Sequence, residues 1–75
     1  LMYSNLIIAM KRKGITIGQI AELLNCRAAT VSDKIHGKRE YGFYLEEALR
    51  IKNVFFNEYE TTYLFERDKE SKQAV

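Results

Sequence analysis

Seventy-five residues make one small domain that hides only a little over about 60% of its unfolded surface, so its 47% hydrophobic residues must pack well. A lone cysteine, Cys26, excludes an internal disulfide and a multi-cysteine zinc site and fits a reducing cytosol; no apolar run approaches the ~20 residues that span a bilayer. The net charge of +2 conceals an asymmetry: Lys11 to Arg39 holds seven bases against two acids, and Glu40 onward holds eight acids against five bases.

In chain order, Ser4 is an N-cap for a first helix from about Asn5 to Lys13, with Leu6, Ile7 and Met10 inward and Gly14 as the stop. Lys11, Arg12 and Lys13 suit its C-terminus, where cations offset the helix dipole. Thr16 and Gln19 have the spacing of a capping box, so a second helix starts there. Its apolar arc is Ile20, Ala21, Leu23 and Leu24, and Asn25, tolerant of the left-handed conformation, closes it. Cys26 is expected inward as a small hydrophobe. A third helix begins at Arg27 or Ala28 and ends before Gly37. Ala28, Val31 and Ile35 share one face, and Arg27, Ala29, Thr30, Ser32, Asp33 and Lys34 are left for solvent or a ligand.

Tyr41, Phe43 and Tyr44 occupy a connection, with Tyr41 expected to pack in the core or at its rim, the alternative being to stack on a sugar or touch a phosphate. Leu45 to Lys52 reads as a fourth helix with Leu45, Ala48, Leu49 and Ile51 as candidates for burial and Glu46 and Glu47 in its first turn. Asn57 to Glu60 has capping-box spacing for a fifth helix through Tyr63, Leu64 and Phe65. Phe55, Phe56 and Phe65 close the core, and Glu66 to Val75 is a polar tail. No alternating β-branched run asks for a sheet. The predicted organisation is an all-α, compact five-helix domain over 1–65 with a tail over 66–75.

Ala21, the turn at Asn25 and Cys26, Thr30-Val31-Ser32 and Gly37-Lys38-Arg39 resemble the helix-turn-helix of phage Cro/CI-type repressors, the lambda-repressor-like or XRE family. The resemblance covers roughly Asn5 to Phe65. Many members carry glycine where Asn25 stands, glutamine where Ile17 stands and glutamate where Ile35 stands. It implies a lambda-repressor-like DNA-binding domain whose third helix lies in the major groove of double-stranded DNA, in a homodimer on a near-palindromic site. It further implies DNA contacts from Thr16 and Ile17, from Arg27, Ala28, Ala29, Thr30, Ser32, Asp33 and Lys34, and from Lys38 and Arg39. On this resemblance the two alanines pack on thymine methyls, Arg27 reaches a guanine or a phosphate, and Thr30 and Lys34 are further contacts. Asp33 either accepts from cytosine N4, acts against wrong sequences or balances Lys34, and Lys38 and Arg39 supply phosphate charge.

The chemistry expected of an enzyme is thin. Cys26 and His36 stand ten residues apart in a turn and at a helix end, and His36 suits the last carbonyls of its helix. Glu46 and Glu47 point about 100° apart on a helix and do not form a paired carboxylate. Gly37-Lys38 lacks the preceding glycine of a phosphate loop. The expectation is a non-enzymatic, sequence-specific transcriptional regulator, a phage or prophage repressor in the cytoplasm, with no membrane partner, metal or cofactor. The alternatives are a protein-interaction module or an antitoxin on the same scaffold.

Overall fold

The computed structural model describes residues 2–68. Within them the chain forms five helices and no strand: α1 Ser4–Lys13, α2 Ile17–Leu24, α3 Ala28–Ile35, α4 Leu45–Phe55 and α5 Thr61–Leu64. Short-range signals set most of the boundaries. Gly14 adopts φ +70° and its N–H donates to Met10 O, ending α1. Thr16 accepts from the Gln19 amide at 3.1 Å while the Gln19 side chain accepts from the Thr16 amide at 2.8 Å, the expected capping box of α2. Asn25 takes the left-handed conformation at φ +57°, and α3 follows after only Cys26 and Arg27.

The core is one cluster drawn from every helix. Leu6, Ala9 and Met10 of α1 meet Ile20 and Ala21 of α2, Val31 and Ile35 of α3, Ile51 of α4 and Leu64 of α5, with Tyr3 and Phe56 between them. Phe55 and Phe65 pack against this cluster half-buried, and Phe56 is fully buried. Helices α2 and α3 lie against one another, as the close turn and the small side chain of Ala21 require.

Several expectations are corrected. Ser4 does not cap α1: the helix starts at Ser4 itself, Tyr3 stands at the N-cap, and the Ser4 hydroxyl donates to Asp68 Oδ2 at 2.6 Å. Tyr3 is held there from outside, its amide bonded to Ile35 O at 3.0 Å. Cys26 is exposed, because its amide closes the turn onto Ala21 O at 3.0 Å. Ala28 is exposed too. It occupies the first position of α3, ahead of the turn that Val31 and Ile35 bury. In α4 the buried stripe runs through Ala48 and Ile51 with Phe55 beside it, which leaves Leu45 71% and Leu49 41% exposed.

Asn57 forms no capping box. Residues 57–59 make a turn, with the Tyr59 amide on Phe56 O, and Glu60 stands at the N-cap of a four-residue α5 without a side-chain cap. The turn is anchored otherwise: Glu58 pairs with Lys13 at 2.8 Å, Lys52 donates to Asn57 O, and Tyr59 meets Phe56 edge-on. Glu66 to Asp68, expected to open a tail, are tied to the body. The Asp68 amide donates to Met2 O at 2.8 Å and the Arg67 guanidinium lies 5.3 Å from the Tyr3 ring. The rest of the expected tail, 69–75, lies outside the described residues.

Candidate nucleic-acid interface

The start of α2 carries the first pair of candidate residues. Thr16 is exposed and Ile17 half-buried, and the capping box occupies the Gln19 amide while Ile20 N–H bonds Thr16 O. The Ile17 and Gly18 amides are thereby left as hydrogen-bond donors at the positive end of the helix dipole. A phosphate is the ligand such a terminus suits.

α3 carries the second set, and its environment divides it. Arg27, Ala28 and Ala29, at its start, are exposed; Thr30, Ser32, Asp33 and Lys34 are half-buried; Lys38 and Arg39, past its end, are exposed. Eight residues at 1.5 Å rise span about 12 Å, so cationic side chains stand at both ends of a helix of that length. Gly37 takes φ +74° and the Lys38 amide bonds back to Asp33 O at 2.9 Å, which brings the Lys38-Arg39 pair round beside the last turn. Arg39 comes within 3.7 Å of the Asp33 carboxylate, so this acid is partly neutralised. His36 Nδ1 lies 2.8 Å from Ser32 O, the contact with a last-turn carbonyl expected of it.

Lys34 stands apart from the other cations. Its ammonium sits 3.2 Å from Glu47 Oε1 on α4 and over the rings of Tyr44 at 5.2 Å and Phe43 at 5.6 Å. Through Glu47 it links α3 to α4. Glu47, in turn, accepts the Tyr44 amide at 3.0 Å at the start of that helix.

Beside this face, an open hollow of about 420 Å³ lies between Thr30 and Lys34 of α3 and Arg39, Tyr41 and Tyr44 of the following loop. Tyr41 is 72% exposed and Tyr44 67%, so the expected packing of Tyr41 is corrected. Their backbone explains this. Gly42 runs so close to the Tyr3 hydroxyl that a Cβ there would overlap it, and Phe43, not Tyr41, turns its ring to Tyr3 at 5.3 Å. Sequence reasoning left Glu47 as a dipole acid and gave Tyr44 no role. The available signal was the capping-box spacing of Tyr44 and Glu47.

Among the described residues no group of three or more His, Cys, Asp or Glu could hold a metal ion, and no helix is long and apolar enough to cross a membrane. The ionisable group with a clear perturbation lies far along the chain from α3: a hydrogen bond from Lys13 holds the Glu58 carboxyl below its ordinary range. No family model, curated protein or solved structure matches the chain.

Proposed function

We propose that this chain is a sequence-specific DNA-binding regulator of the lambda-repressor-like type, a phage or prophage repressor that acts in the cytoplasm by occupying an operator. In this reading α2 and α3 form a helix-turn-helix and α3 enters the major groove. The observation that carries it is the joint one at α2 and α3: a left-handed Asn25 lets α3 follow α2 after the three residues Asn25 to Arg27, and the outer side of α3 is exposed from Arg27 to Ala29 in the basic part of the chain. Thr16 and the α2 amides hold one phosphate, and Lys38 and Arg39 hold others. Arg27, Thr30 and Asp33 meet base edges, and Ala28 and Ala29 meet thymine methyls. The protein works without enzymatic chemistry or a cofactor.

The homodimer expected of such a domain has a candidate surface in Tyr44, Leu45 and Leu49, which are exposed hydrophobic residues at the N-cap and in the first two turns of α4. The same exposed residues favour the second reading, a protein-interaction module or an antitoxin that binds a protein partner through this face.

The test is titration of a duplex selected from a randomised pool, alongside a scrambled duplex, at several salt concentrations. Specific binding that weakens linearly in log salt is expected, because each phosphate neutralised releases counterions. Equal affinity for both duplexes overturns sequence-specific recognition. A salt slope near zero overturns nucleic-acid binding altogether.

A further inference from the structure

Lys34 lies in the stretch where base and phosphate contacts are expected, and its surroundings assign it a different task. Its side chain is only 15% exposed, against 50% for that of Arg39. The ammonium has an anionic partner, Glu47, at 3.2 Å and two ring faces, Tyr44 at 5.2 Å and Phe43 at 5.6 Å. Reaching a phosphate would break all three contacts and leave the Glu47 carboxylate, itself 25% exposed, without its cation. Glu47 is meanwhile fixed from a second side by the Tyr44 amide at 3.0 Å. One carboxylate thus joins the start of α4, through its backbone, to the last turn of α3, through Lys34.

We infer that Lys34 and Glu47 are a positioning pair that sets how α3 is presented to DNA, and that Lys34 makes no phosphate contact. The inference rests on the DNA-binding reading above and assigns a role within it. α3 is an eight-residue helix held to the core by Val31 and Ile35, both on one stripe. Such a stripe resists separation better than rotation about the helix axis, and Lys34 lies off it, 100° from Ile35 and 60° from Val31. A tether there opposes rolling. A few degrees of roll moves the side chains at the outer face by a fraction of an ångström, which matters for base edges and hardly for phosphates.

The experiment compares wild type, Glu47→Gln, Lys34→Met and the double variant, on the selected and the scrambled duplex, across salt. Glu47→Gln keeps the acceptor for the Tyr44 amide and removes only the charge, and it raises net charge by one, which by itself favours DNA. Positioning predicts the opposite for the selected duplex: affinity falls about threefold to tenfold with the salt slope unchanged, while binding to the scrambled duplex holds or rises. Lys34→Met loses the same discrimination at the same slope, and the double variant is no worse than either single one. Tighter or equal binding of Glu47→Gln to the selected duplex overturns the inference, since that is the behaviour of a lysine released toward phosphate. So does a drop of about 0.9 in slope for Lys34→Met, the signature of one lost phosphate. Measurements are made well below each variant's melting temperature. If Lys34→Met fails to fold, Glu47→Gln decides alone. Failure of the DNA-binding reading is visible separately, in the wild-type salt slope.

Discussion

Tyr3 places a phenol where four parts of the chain meet. Its amide bonds Ile35 O at the end of α3, its hydroxyl accepts the Phe43 amide at 3.0 Å, and its ring contacts Phe43, Phe65 and the Arg67 guanidinium. The hydroxyl is the part that a homologous side chain cannot supply. Tyr3→Phe leaves the Phe43 amide without its partner in a half-buried position, a loss of about 1–2 kcal/mol, read as a lower midpoint in urea at unchanged slope. An unchanged midpoint means the amide finds another acceptor. Gly42 depends on the same side chain: a Cβ there would overlap the hydroxyl and crowd the ring carbons Cζ at 2.7 Å and Cε2 at 2.9 Å. Gly42→Ala therefore costs more than the hydroxyl deletion, and in a Tyr3→Phe background only the part of that cost due to the hydroxyl is relieved. None of this was legible in the sequence. Gly42 lies 39 positions after Tyr3, and a glycine required by the approach of a distant side chain looks the same as one required by a turn.

At the scale of the elements, legibility follows the distance over which a signal acts. The Thr16–Gln19 box, the left-handed Asn25 and Gly37, and the Gly14 stop all act within three or four residues, and each is present as expected. The failures at helix ends have partners that lie elsewhere: Ser4 turns to Asp68, and Glu58, inside the expected Asn57 to Glu60 box, is taken by Lys13, so no local rule finds them. In the candidate interface the same division appears: the exposure of Arg27, Lys38 and Arg39 follows from their places at helix ends, and the burial of Lys34 follows from α4.

The Lys13–Glu58 pair gives that non-local anchoring a pH signature. The folded pKa of Glu58 lies below its unfolded value, chiefly through the Lys13 hydrogen bond. Its contribution is therefore complete above the unfolded carboxylate range and is lost as pH falls through the lower folded value. Glu58 is fully exposed, so the effect is a small one. Glu58→Gln lowers the melting temperature slightly at neutral pH, and the gap to wild type closes as pH falls below the carboxylate range. A gap independent of pH would assign the loss to the turn at 57–59 and not to the ion pair.

For the whole molecule, the two ends of the described chain lie side by side, and that arrangement says which residues the domain needs. Met2 O accepts the Asp68 amide, Ser4 donates to Asp68 Oδ2, and Arg67 covers Tyr3 while donating to Glu40 O at 3.3 Å and to Arg39 O at 3.5 Å. Those last two carbonyls belong to the loop that carries Lys38 and Arg39, so residues 66–68 hold the segment that follows α3. Deleting them removes one ring contact and several hydrogen bonds, all partly solvated, for about 1–3 kcal/mol together. In a domain of this size 1 kcal/mol moves the melting temperature by about 4–8 °C. A chain ending at Phe65 is therefore expected to melt about 10 °C below one ending at Asp68, and to bind the selected duplex more weakly at a temperature where both are folded. Equal melting temperatures would return 66–68 to the status of a dispensable tail. A lower melting temperature with unchanged duplex affinity would confine these residues to stability and show that the Lys38-Arg39 loop keeps its place without them.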